Sequence, residues 1–165
     1  MVAGTGHDCL GRHSCSDAIF IRTSLLKDIK PDIINQVITL GAGVVFSEAH
    51  KAAADTENYV VSGWASTVGV VGWAIGGGHG PFAPGKGTGV DNIVAATIVI
   101  ADGSLITVNS TSEHKDLFWA IRGGGGSAWG IFTSITYRMH PMQNITGSRF
   151  GFLNATFKGN MCNES

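Results

Sequence analysis

"GWAIGGGHGPFAPGKGTG", residues 72–89, is the stretch on which the fold turns: eight of its eighteen positions are glycine, and apolar sequence flanks it on both sides. Glycine this dense predicts neither a stable helix nor a strand interior, because it loses the most backbone freedom on folding and brings no side chain to pack. Bare backbone suits tight turns, or the close approach of something else. Further glycine clusters lie at 4–6 with 11, at 41–43 and at 123–126, each at the end of a strand-like run. Glycines gathered at element ends favour a large, flat or anionic ligand lying against backbone, with N–H groups as donors, over turns alone.

Two nucleotide motifs match only formally. Gly80 to Lys86 fits G-x4-G-K, but Gly87 stands where a magnesium-binding Ser or Thr is required, and Pro81 and Pro84 remove donor N–H groups. Gly78 to Ala83 fits G-x-G-x-x-A, yet that fingerprint must open a helix, which the prolines and later glycines argue against.

Around the clusters the patterning predicts an α+β fold built on an antiparallel sheet with flanking helices. "DAIFIR" (17–22) reads as a strand, "TSLLKDIKPD" (23–32) as a short helical turn, and "INQVITLGAG" (34–43) as a strand running into glycine. Ser47 is a candidate cap for a helix over 48–59, followed by a short strand, "YVVSG" (59–63). Two β-branched runs around Asp102-Gly103 predict a hairpin over 92–109. Ser110 and Glu113 suggest a capping box opening the helix "HKDLFWAIR" (114–122). In "WGIFTSITYRMH" (129–140), Ile131, Thr133, Ile135 and Tyr137 alternate with Phe132, Ser134, Thr136 and Arg138, as in a half-buried strand. The first residues read as the end of a strand and the last as a strand that stops, so the chain reads as incomplete at both ends.

The net charge of −1 gives no basic face for nucleic acid, and no apolar stretch reaches the roughly 18 residues of a membrane span. The three cysteines are too few for a disulfide framework. Four glycosylation sequons, at Asn109, Asn144, Asn154 and Asn163, exceed the about one that chance would give and point to secretion, although no signal peptide follows Met1.

"GTGHDCLGR", "TVGVVGWAIGGGHGPFAPGKGTGVDNIVAATIVIADG" and "DLFWAIRGGGGSAWGI" together resemble, in order and spacing, the flavin-binding domain of berberine-bridge-enzyme-like oxidoreductases. These belong to the vanillyl-alcohol-oxidase superfamily, whose FAD-binding domain is of the PCMH type. The resemblance spans residue 3 to about 140 and has a fungal style. It implies a partial PCMH-type domain over 1–141 and the start of a substrate domain over 142–165. It implies FAD as cofactor, a small-molecule substrate and oxygen as partners, and an FAD-linked oxidase as the complete protein. This stretch alone would give no turnover.

By the same resemblance, Thr5, Gly6, His7, Asp8 and Gly11 would wrap the pyrophosphate. Thr67 to Gly69 and Gly76, Gly77, Gly78, His79 and Gly80 would lie along the flavin and ribityl chain. Gly87, Asp91 and Val94 would approach the rest of the cofactor. His7 would be the covalent flavin ligand, and the only one, because Ala65 replaces the cysteine of bicovalent members. The catalytic base belongs to the substrate domain and is unassigned.

Other patterns compete. His7, Cys9, His13 and Cys15 are all zinc-ligand types, but their one-residue spacings are tighter than usual, and packing as small apolar residues suits the cysteines better. His79 reads either as a neutral histidine bonded to backbone or as flavin-facing, and Asp91 either as a turn residue or as a ligand contact. Trp73, Trp119 and Trp129 suit core or cofactor-edge packing, whereas Asp116 and Arg122 suit a solvated helix face.

Overall fold

The computed structural model describes residues 1–126 and 128–142; all but the first residue of the expected substrate-domain start, Cys162 and three of the four sequons lie outside them. Strand β1 (Val2–Ala3) pairs in parallel with β2 (Ile21–Arg22). Next come β3 (Ile29–Asp32), β4 (Val37–Gly41), helix α1 (Phe46–Ala54), β5 (Asn58–Tyr59), α2 (Val70–Ile75) and the single turn α3 (Ala83–Lys86). A 3-10 turn, Val90–Asn92, leads into β6 (Ile93–Val99), β7 (Leu105–Asn109), α4 (Lys115–Ile121), β8 (Ile131–Arg138) and β9 (His140–Pro141). The main sheet has the order β3-β4-β8-β6-β7, antiparallel throughout, and β5 pairs with β9. The α+β expectation holds.

One face of the sheet carries the core. Ile38, Leu40, Ile98 and Ile135 are fully buried there, under Phe46 and Ala49 of α1, Val70 and Ala74 of α2 and Ile121 of α4. The other face is threonine-rich, with hydroxyls paired at Thr39–Thr136 (3.4 Å) and Thr97–Thr107 (3.1 Å).

Several local expectations are corrected. Residues 29–32 form strand β3, not a helical turn; as an edge strand it tolerates Pro31, which has no N–H to donate to a ladder. Only Ile21–Arg22 of "DAIFIR" is strand. Helix α1 is capped at Val45, not Ser47: the Glu48 carboxylate accepts the Val45 N–H at 2.9 Å. Helix α2 runs into the glycine stretch through Gly72, and Pro84 sits within the first turn of α3, where a missing N–H costs nothing. Ser110 and Glu113 do not cap α4, whose N-cap is His114. The turn before it closes on itself instead, with the Ser112 hydroxyl donating to the Asn109 carbonyl.

The alternation in β8 changes phase. Thr97 of β6 faces Ser134 while Ile98 faces Phe132, so Thr133 is an extra residue in β8. Such a bulge turns the following side chains over. Phe132 therefore joins Ile135 and Tyr137 in the core, and Ile131 does not.

Candidate functional site

A cleft of about 910 Å³ opens beside the ends of β1 and β4. That is the size of a small-molecule or cofactor site. Its lining comes from residues 1–8 with Arg12 and His13, from Thr23 and Ala42, from segment 68–76, and from residues 125–126 and 130–132. Most of this surface is backbone and small or apolar side chains.

Two hydrogen bonds tie the loop after β1 to the loop before α2. His7 Nε2 lies 2.9 Å from Thr67 Oγ1, and the Gly69 N–H donates to Thr5 Oγ1 at 2.9 Å. The first loop is also closed on itself. Both Asp8 carboxylate oxygens accept from the Arg12 guanidinium at 3.0 Å, and the Arg12 main-chain N–H donates at 2.9 Å. These bonds, led by the Arg12 side chain, hold the Asp8 carboxyl below the usual range. Among the described residues, nothing accepts from the main-chain N–H groups of Thr5, Gly6 or His7. A run of such free donors suits an anion.

The glycines divide by what a Cβ would meet. At Gly6, Gly72 and Gly125, all in the cleft lining, it would meet nothing within 4 Å among the described residues. Gly72 is the most informative, because it sits inside a helix, where glycine costs about 0.5–1 kcal/mol relative to alanine. No packing among the described residues asks for it. Elsewhere the chain fills the space itself. A Cβ at Gly41 or Gly43 would overlap the backbone of residues 23–26, which crosses there. At Gly78 it would lie 2.7 Å from the Trp73 ring, and at Gly89 it would overlap that ring. Trp73 fills a slot between glycines, edge-on to Phe46 with centroids 5.0 Å apart.

Of the residues expected at the site, Thr5, Gly6, His7, Asp8, Gly69 and Gly76 line the cleft, and Thr67 stands behind His7. The others are not brought into its lining. Gly11 closes a turn onto the Asp8 carbonyl. Gly77 and Gly78 have positive φ and accept from Val90 and Gly89 through their carbonyls. Gly80 is packed against the Ser62 carbonyl, and His79 is exposed. Gly87 packs on Asp91, whose carboxylate accepts from the Thr88 N–H (2.8 Å) and hydroxyl (2.7 Å). Val94 is the extra residue at a bulge in β6.

Cys9 and Cys15 are exposed and free rather than packed as apolar groups, and their segment is turns rather than strand. Among the described residues, no three His, Cys, Asp or Glu side chains converge to hold a metal. Trp119 and Trp129 are both exposed; Arg122 lies over the Phe118 ring and donates to the Val90 carbonyl. The lining that sequence reasoning missed includes Gly4, Arg12, His13, Ala42 and Gly125–Gly126. The clusters at 4–6 and 123–126 were the signal for part of it.

Comparison with known proteins gives the chain's family. Residues 1–109 match a family described as an FAD binding domain. The FAD-linked oxidoreductase ZEB1 of Gibberella zeae is 37% identical over 159 residues, covering 92% of this chain and 28% of that protein. Among solved structures, 6-hydroxy-D-nicotine oxidase from Arthrobacter nicotinovorans superposes with a TM-score of 0.81 at 31% identity, covering 85% of this chain and 30% of that one. Berberine bridge enzyme from Eschscholzia californica gives 0.77 at 30% identity, covering 85% and 28%. The chain thus spans under a third of the length of these relatives.

Proposed function

Because this chain belongs to the FAD binding domain family, we propose that it is the cofactor-holding part of an FAD-linked oxidoreductase that oxidises a small organic substrate and passes the electrons to oxygen. The observation that carries this reading is Gly72: a helix residue in the cleft wall, bare with no packing reason among the described residues. The residues present fit an FAD molecule. The free N–H groups of Thr5, Gly6 and His7 suit its diphosphate, and the apolar lining of Val71, Ile75 and Ile131 suits a ring system.

When bound, FAD supplies a two-electron acceptor. The chain's own work is to grip and orient it. Thr5 and Thr67 fix the two loops against each other, and the Asp8–Arg12 pair keeps the first loop closed. His7 is the residue we assign as the single covalent attachment point, because Ala65, at the position of the cysteine in bicovalent relatives, has no thiol to form a second bond. Its Nε2 is engaged by Thr67, which leaves Nδ1 as the nitrogen available to bond. A neutral imidazole that donates Nε2–H to Thr67 keeps a lone pair on Nδ1, as a nucleophile requires. Passage through the secretory pathway belongs to the same reading and is supported by the four sequons.

The test uses the full-length protein. It should purify yellow, bleach when substrate is added without air, and regain colour on aeration. A colourless protein that takes up no FAD on reconstitution would reject the reading.

A further inference from the structure

The sequon at Asn109 is not absorbed by the cofactor site, and its surroundings are those of a modification site. Asn109 is the last residue of β7, which among the described residues lies at the edge of the sheet, paired on one side. Asn109 itself is half-buried, while Ser110 and Thr111 are exposed. None of the three lines the cleft. The carboxamide is already held. Its Oδ1 accepts from the Thr111 N–H at 2.8 Å and from the Thr111 hydroxyl at 3.0 Å. Its Nδ2 donates to no described residue, so the nitrogen is spare while the oxygen is doubly engaged.

We propose that Asn109 carries an N-linked glycan. Two donors on Oδ1 draw electron density from the carboxamide, which eases loss of a proton from Nδ2. The bond that forms joins Nδ2 to the anomeric carbon of the glycan. The bond that breaks is the one from that carbon to the diphosphate oxygen of a polyisoprenyl-diphosphate oligosaccharide. The diphosphate leaves with the electron pair, and Nδ2 gives up one proton. No oxidant or reductant enters. The arrangement that prepares the carboxamide spans only residues 109–111, so it forms from local sequence and is accessible before the sheet assembles. After folding, the glycan stands at the end of edge strand β7, where an unpaired strand invites addition of another chain.

The inference goes beyond cofactor binding, and its test does not depend on flavin. Full-length protein secreted from a glycosylating fungal host is digested with peptide-N-glycosidase in heavy-oxygen water, and each sequon peptide is read by mass spectrometry. The expected result is a labelled aspartate at 109. Asn109→Gln and Thr111→Val should each abolish it with loss of one glycan's gel shift, while Thr111→Ser should retain it. Because Thr111→Val leaves Asn109 in place, loss of label there does not depend on how the glutamine variant folds. An unlabelled, unmodified Asn109 in the secreted wild-type protein would overturn the proposal, whether or not the other sequons are occupied. Flavin content, measured on the same material, reports separately on the cofactor reading.

Discussion

His7 Nε2 and Thr67 Oγ1 meet at 2.9 Å across 60 residues of sequence. The contact joins two of the motifs on which the family resemblance rests and decides which imidazole nitrogen is left facing other partners. Thr67→Val keeps the side-chain shape but removes a neutral hydrogen bond worth about 0.5–1.5 kcal/mol, so covalent flavin incorporation should slow by up to about tenfold. Thr67→Ser should be near normal, and His7→Ala should abolish attachment. Flavin fluorescence in the acid-precipitated pellet of full-length protein measures all three. Flavin lost to the supernatant by the unmutated protein would remove His7 from this role.

Gly72→Ala separates stability from binding. Among the described residues, an alanine Cβ there meets no atom outside its own helix within 4 Å, and it improves the helix by about 0.5–1 kcal/mol, so the cofactor-free protein should unfold at higher denaturant. Its Cβ enters the cleft, so FAD affinity should fall. A variant more stable and unchanged in affinity would mean the cofactor does not approach α2.

Gly89→Ala should destabilise by about 1–3 kcal/mol through overpacking. Backbone strain is not the cause, since Gly89 has right-handed helical φ and ψ, −56° and −43°. The obstacle is the Trp73 ring. Trp73→Leu should therefore relieve much of the cost, and a double-mutant cycle by urea unfolding would read the coupling. Simple additivity would refute the clash.

Alkaline pH should weaken the fold through Tyr137. Its hydroxyl donates to the Val61 carbonyl at 3.1 Å, and burial, followed by the nearby Asp91 charge, raises its pKa well above that of a free tyrosine. The unfolded chain releases this proton near pH 10 while the folded chain holds it. Stability is thus full below about pH 10 and falls as pH rises further. Urea midpoints between neutral pH and the alkaline limit should show the decline, and Tyr137→Phe should flatten it. An equal slope in both proteins would assign the effect elsewhere.

What the sequence determined by itself is the part governed by neighbours along the chain. The 92–109 hairpin follows from two β-branched runs meeting at Asp102-Gly103, and the motifs around His7, Gly76 and Asp91 placed the chain correctly in its flavoprotein family. What only the tertiary structure decided is which bare backbone faces the cleft. Gly72 and Gly78 lie six residues apart in one glycine-rich run, yet one opens onto the cleft and the other is filled by Trp73. The extra Thr133 that swaps Phe132 for Ile131 in the core depends on register against β6, and the edge position that lets Pro31 sit in a strand depends on sheet order. Turn chemistry and periodicity act over a few residues. Cavities and register are set by which distant segments close on one another, and a single stretch of sequence does not encode that.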